Sequence, residues 1–477
     1  MEIFRYVSRI TSGILVTLLL AVLWIVGCSG TSQIDSSAHT GRTVFYVPGV
    51  PNFDLEAIAT WKQGKSGIDV YVGIPHASLI YLRAGNEFVA RYEALVQVVR
   101  RKGKQMMLQE EWVDTLRTLR YEETQSYEPH LIVRRVSVPS GEYVVKVTLT
   151  DLNSGKQAVR QQRIQVVALE EDQPYLSRIR LDVRRHGKPF EPAVSFHLPS
   201  ALDSIRAVVH LYHAAPHGAE VTMRLLKFRS DTTVAAPPYW LSPMIGSLRY
   251  KGVDYDHADT LQVTHRVLDN IGDEVEIDFV LPGLSRGIYR IQVQTVVRHP
   301  EKDLLLTRQR DVSIKGPGFP RLTTLDELID ALAYIAYDRE LAYIRAASTP
   351  QEKKRRFDAF WGSLVQNRQV AANLLKLYYS RVEEANLFFT TYKEGWKTDQ
   401  GMVYIVMGPP VVVEHFFDTE VWYYSYADRD PLNTFTFERA RPYGANALFR
   451  NYFLRRRPIY EQMWIRAVER WRSGAVL

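Results

Sequence analysis

Cysteine is almost missing: of 477 residues only Cys28 carries a thiol. A single thiol excludes an intramolecular disulfide, a thiolate metal cage and an iron–sulfur cluster, each of which needs more than one. The chain also has no Walker loop, no G-x-G-x-x-G, no G-x-S-x-G and no H-E-x-x-H, so the common nucleotide enzymes, serine hydrolases and zinc proteases lose their usual signatures. Long apolar runs are absent beyond the first thirty residues, and with a mean hydropathy of -0.19 this excludes a multispan membrane protein. Neither glycine nor proline is depleted or dominant, at 27 and 23 residues, and 46% of the chain is apolar. That balance excludes collagen, coiled coil and wholesale disorder, and the length calls for more than one domain.

What the sequence does have starts with its N-terminus. Arg5 and Arg9 precede the thirteen apolar residues Ile14 to Val26, and Ile25-Val26-Gly27-Cys28 follows. Thirteen residues fall short of the roughly 20 needed to span a bilayer, so residues 1–27 read as an export signal rather than an anchor left in place. Its end resembles a bacterial lipobox, which implies acylation of Cys28 and a membrane tether. Residues 28–42 are small and polar, the composition of a flexible linker. Ser29 after the cysteine, in place of Asp, resembles lipoproteins sent to an outer membrane, facing the periplasm or the surface.

Charge is concentrated at the other end. From Arg439 to Leu477 there are nine Arg and no Lys, against Glu461 and Glu469 alone. The rest of the chain is close to neutral, so the +7 formal net charge belongs to this segment. Arg455, Arg456, Arg457, Arg466 and Arg470 form a basic patch suited to bidentate contact with phosphate or carboxylate groups. An exported protein does not meet nucleic acid, so the expected partner is an anionic lipid surface or an acidic envelope protein.

Between these ends the pattern is β-rich, then helical. Alternating segments at Asp69 to Pro75, Phe88 to Val99, Tyr143 to Leu149 and Gln161 to Val167, with turns at Lys102-Gly103 and Asn153-Ser-Gly155, predict a β-sandwich over residues 43–170. A second sandwich is expected over 174–316, because Gly287-Ile-Tyr-Arg-Ile-Gln-Val-Gln-Thr295 repeats the pattern of Gly141-Glu-Tyr-Val-Val-Lys-Val-Thr-Leu149. The second copy carries a Pro, Tyr and Gly-rich insert from Val234 to Asp259. Capping signals at Thr324 with Glu327 and at Thr349-Pro350 with Glu352 open helices in a linker region at 321–392. A third helix is expected from Val370 to Phe389, where apolar residues recur at helical spacing.

Residues 393–477 hold the sharpest motif. Gly395-Trp396-Lys-Thr398-Asp399-Gln-Gly401, then Gly408-Pro409-Pro410, Glu414 and Trp422, resemble the GWxTD-domain family of bacterial envelope lipoproteins. Phe357 to Trp361 and Tyr379 to Phe388 resemble its helical lead-in, and the resemblance implies twin β domains ahead of it. It implies no activity. Read physically, Thr398 to Gly401 is turn chemistry with Gly401 at a positive φ, Met402 to Met407 is a buried two-sided strand, and two prolines end it. Strands are also expected at Glu420 to Tyr426 and Thr434 to Glu438.

Chemistry competes weakly with this structural reading. Asp399, Glu394 and Glu414 could supply an acid–base pair, yet spacing brings no two together. His210, His213 and His217 invite a metal, but residues three apart on a strand face opposite ways. The cluster Asp254, Asp256, His257 and Asp259 lacks the glycine and distant glutamate of an EF-hand. Trp422, Tyr423, Tyr424 and Tyr426 could stack on sugars, though one face of such a strand is ordinarily core. The reading is therefore a mixed, mainly β protein with an α+β C-terminal part, lipid-anchored and non-catalytic, with no metal and no cofactor. Its rival is an envelope enzyme acting on peptidoglycan or polysaccharide, with Asp399 or Glu414 as acid or base. In the last segment, Pro458 at a first helical position, then Ile459, Met463, Ala467 and Trp471 at steps of four with Trp464 and Val468 beside them, predicts an amphipathic helix ending near Arg472 with its arginines off the apolar stripe.

Overall fold

A computed structural model describes residues 41–43, 50–62, 64–170, 173–213, 218–241, 252–269, 272, 274–298, 302–365, 367–416, 418–425, 431–439 and 451–476. Cys28, the export signal, His217 and Tyr426 lie outside them. The protein is mainly β with its helices gathered toward the C-terminus.

After a short strand β1 (Gly41–Thr43), the first module holds β2 (Asp54–Lys62), β3 (Lys65–Pro75), β4 (Leu82–Ala84), β5 (Glu87–Arg100), β6 (Met106–Thr118), β7 (Pro129–Ser137), β8 (Gly141–Asp151) and β9 (Lys156–Val166). One sheet runs β2-β3-β7; the other runs β4-β5-β8-β9, with β6 also on β5. The second module holds β10 (Tyr175–Leu176), β11 (Arg180–Arg184), β12 (Glu191–Pro192), β13 (His197–Pro199), β14 (Ser204–Tyr212), β15 (Ala219–Ser230), β16 (Val253–Leu268), β17 (Glu274–Pro282), β18 (Gly287–Val297) and β19 (Leu304–Lys315). Its sheets repeat the scheme: β11-β14-β17 answers β2-β3-β7, and β16-β15-β18-β19 answers β6-β5-β8-β9.

The repeat reaches individual side chains. In β8, Tyr143, Val145, Val147 and Leu149 are buried, and in β18 Tyr289, Ile291 and Val293 take the same alternate places, as strands with one face on a core require. Tyr143 donates its hydroxyl proton to the Pro139 carbonyl at 2.7 Å, and Tyr289 to that of Ser285 at 2.8 Å, four residues back in both. The two modules dock through Trp61, whose ring meets Tyr175 at 5.0 Å and Tyr212 at 5.5 Å. Arg310 reinforces the joint by pairing with Glu56 and donating to the Ile179 carbonyl.

The C-terminal part contains α1 (Leu325–Ala331), α2 (Asp338–Arg345), α3 (Pro350–Leu364), α4 (Arg368–Phe389), α5 (Asp399–Met407), β20 (Val412–His415), β21 (Thr419–Tyr423), β22 (Thr434–Arg439), β23 (Tyr452–Leu454) and α6 (Tyr460–Ser473). Thr324 and Glu327 form the expected reciprocal cap of α1, and Thr349 accepts from the Glu352 amide at the start of α3. The helices expected as a linker instead share one core with the strands and α6: Ile329, Trp361, Tyr378, Trp396, Trp422 and Trp471 belong to a single buried cluster. An apolar face as broad as that of α4 has to be covered by something, and here the segment beyond residue 393 covers it.

Three local readings are corrected. Met402 to Met407 is helix α5, not a strand; residues apolar on every side suit a fully buried element of either kind. The insert of the second module is shorter than expected, because Val253 to Asp259 already belong to β16. The helix α6 starts at Tyr460, so Pro458 stands outside it and Ile459 is exposed. Its buried face carries Tyr460, Trp464 and Trp471, so Trp471 and Trp464 lie inside as expected, while Tyr460 takes the place expected of Ile459, since a helix turns in 3.6 residues and steps of four drift.

Candidate functional site

The motif is built where α4 ends, the chain turns, and α5 begins. Gly395 and Gly401 allow three backbones to meet there. A Cβ on Gly395 would fall 1.9 Å from the Ala385 carbonyl oxygen, and one on Gly401 1.9 Å from that of Gly395. Gly401 is therefore a close-approach residue inside a helix, not the positive-φ turn glycine expected. Thr398 caps α5: its hydroxyl accepts from the Gly401 amide at 3.0 Å and donates to the Gly395 carbonyl at 2.7 Å. Trp396 is buried against Tyr334, and its amide donates to Asn386 Oδ1 at 3.1 Å. Gly408, at φ +88°, closes α5 ahead of Pro409 and Pro410.

Asp399 is equally committed. One of its oxygens accepts the Leu454 amide at 2.8 Å, and both pair with Arg456, at 3.0 and 2.6 Å. Both side chains are nearly buried, Asp399 at 7% and Arg456 at 10% exposure. Glu414 lies on β20 and accepts from the Tyr423 hydroxyl at 2.8 Å, so the carboxylate pair imagined for acid–base work is not assembled around Asp399. Trp422 is fully buried between Phe389 and Phe437. The Tyr424 hydroxyl donates to the Gly408 carbonyl. Trp422 is core, and Tyr424 is half-buried against that core.

The rest of the polar chemistry lies at the joint with the second module, and sequence spacing missed it. Lys393 pairs with Asp231 at 3.1 Å and donates to the Thr233 carbonyl. Arg286 bridges Glu327 and Glu394, and Lys397 holds Glu394 at 3.0 Å. Lys315, fully buried, donates to the Thr391 carbonyl at 2.9 Å. The insert joins in: the Ala235 amide donates to Lys397, and the Ala236 and Pro238 carbonyls accept from Arg456 and from the Arg457 amide. Residues 231 to 457 meet only through the fold, so no local pattern announces them.

Burial sets the protonation of this joint. Desolvation alone would raise the Glu394 carboxyl, but Lys397, Arg286 and Lys315 outweigh it and hold it below the usual range. Burial drives the Lys315 ammonium from 10.5 down to about 7, Glu394 opposing and Lys397 and Arg286 assisting. His197, half-buried near Lys315, is held well below its ordinary value by desolvation of its ring and then by that lysine. Between pH 7 and 10.5 the unfolded chain then binds more protons at Lys315 than the folded one. Its contribution should be fully present above 10.5 and decline as pH falls to 7, by at most about 1.4 kcal/mol per pH unit. Lys315→Met should flatten this slope in urea melts between pH 7.5 and 9.5; an unaltered slope would show that the lysine is not neutralised by folding.

The basic patch is divided by the fold. Arg456 is inside, Arg455, itself exposed, pairs with Glu438, and Arg472 pairs with Glu340; Arg457, Arg466 and Arg470 are the other exposed members. His210 sits between Glu274 and Glu276, each at 3.4 Å. Among the described residues no three His, Cys, Asp or Glu side chains are grouped to hold a metal, and no helix is long and apolar enough to cross a membrane. A groove of about 360 Å³ between the two modules, lined by His76, Glu128, His130, Arg185, Lys188 and Glu191, includes no motif residue.

Fold and site thus define a protein of two sandwich modules joined to an α+β domain built round a buried turn. Residues 297–473 match the GWxTD domain family, so the chain carries a GWxTD domain that takes in the helices as well as the motif. None of the curated proteins compared with the chain matches it. Among solved structures, red sea bream transglutaminase aligns at 10% identity and a TM-score of 0.17, over 55% of this chain and 31% of its own. Escherichia coli alpha-2-macroglobulin activated by porcine elastase aligns at 13% and 0.17, over 54% and 26%. The chain spans less than a third of either, and neither likeness carries an argument.

Proposed function

We propose that this chain is a lipid-anchored bacterial cell-envelope protein with a non-catalytic binding or scaffold role. Residues 1–27 act as the export signal, Cys28 carries the lipid, and the polar stretch from there to residue 40, shorter than the 28–42 expected because Gly41 and Arg42 belong to β1, tethers the GWxTD domain and two modules, near 54–170 and 174–316, to the outer membrane. The observation that carries the non-catalytic reading is the state of Asp399: both of its oxygens are occupied by Leu454 and Arg456 in a nearly buried setting. An acid or base must reach a substrate proton. Arg457, Arg466 and Arg470 are the charges left to meet an anionic envelope surface, which would add to a single-lipid tether.

The test begins at the cysteine. Cys28→Ser should abolish acyl labelling and leave an unprocessed precursor, since no other thiol exists; label persisting on the variant would end the lipoprotein reading. The processed chain stripped of its lipid should bind anionic vesicles in a salt-sensitive way, and Arg457→Gln, Arg466→Gln and Arg470→Gln together should remove that binding without lowering the melting temperature. Absence of vesicle binding at low salt would assign these arginines elsewhere.

A further inference from the structure

The first described strand does not join the module it precedes. Strand β1 pairs antiparallel with β20, with Gly41 opposite His415, Arg42 opposite Glu414 and Thr43 opposite Val413. It forms the outer strand of the GWxTD sheet, whose order is β1-β20-β21-β22-β23. Without it, β20 would present an open row of backbone donors and acceptors, the kind of edge that accepts an extended peptide. Ten residues lie between Thr43 and Asp54, where the first module begins, a span of at most about 40 Å. The chain therefore leaves the GWxTD sheet, builds both modules, and returns to complete that sheet.

We propose that the outer edge of β20 is a strand-acceptor site whose ligand is the chain's own segment 41–43, and that this clasp fixes where the anchor acts. Three residue pairs are a weak hold in isolation, but the short connection to the first module keeps the segment at high effective concentration and favours the cis pairing. Cys28 precedes Gly41 by thirteen residues, at most about 45 Å of extended chain. An acyl group there ties the GWxTD domain, rather than the first module alone, to the bilayer. This consequence rests on the acylation of Cys28; the strand capture does not.

The full chain carrying Cys28→Ser is free of thiols and allows the capture to be tested alone. Directly opposed strand residues lie close enough for a disulfide. Arg42→Cys with Glu414→Cys should oxidise to an intramolecular disulfide, identified as a linked peptide pair by mass spectrometry. Arg42→Cys with His415→Cys, one position out of register and on the opposite face, should close about tenfold less. Glu414→Cys with Val421→Cys, opposed between β20 and β21, serves as the positive control. No Arg42–Glu414 link under conditions that close the control would overturn the proposal. So would a link found only between two chains, which would make the ligand the segment of a second copy. Loss of acyl label in the wild type would remove the anchor consequence while leaving the crosslink result standing.

Discussion

Arg456→Met should destabilise the C-terminal domain by roughly 3–5 kcal/mol, the range for stripping one partner from a buried ion pair. Asp399 would be left nearly buried with one backbone amide, from Leu454, as its remaining donor among the described residues. The Ala236 carbonyl would lose its guanidinium donor as well, loosening the insert of the second module. Urea unfolding of the full chain followed by tryptophan fluorescence reads the effect directly, because Trp396, Trp422, Trp464 and Trp471 all sit in the affected core. A variant as stable as wild type would mean that Asp399 has its charge satisfied by something other than Arg456.

The second large effect is expected at Trp396. Emptying a buried aromatic site costs about 3–5 kcal/mol, and relief by collapse is restricted here. The main chain at this point is clamped: Gly395 lies against the Ala385 carbonyl, the Trp396 amide is held by Asn386, and the Trp396 carbonyl accepts from the Tyr334 hydroxyl at 2.6 Å. Trp396→Ala should therefore shift the urea midpoint of the C-terminal domain strongly, with any loss of binding following from that. A variant that melts like wild type but no longer binds its partner would make Trp396 a contact surface.

The modules were the most legible part of the chain. Alternation in Tyr143 to Leu149 and in Tyr289 to Thr295 marks strands with one buried face, and the repeat between them foretold two copies of one scheme. Helix α4 was legible for the same reason with a different period. Helix α5 was not, because Met402 to Val406 are buried on all sides and a pattern without a polar face has no period to read. The motif residues were found, yet their partners were hidden: Arg456 looked like part of a surface patch, and Lys315 and Glu394 had no local signal. Their meaning depends on contacts between segments separated by dozens to hundreds of residues, which only the folded chain brings together.

A double-mutant cycle between Asp399 and Arg456 tests most directly the claim that the motif serves the fold. Asp399→Leu, Arg456→Met and the two together would be unfolded in urea as full chains. If the pair is a structural tie, the double variant should be more stable than the sum of the single losses by about 2–3 kcal/mol, because removing both charges leaves neither stranded. Additive losses with no coupling, in variants that stay folded, would contradict it and return Asp399 to consideration as a group kept for chemistry.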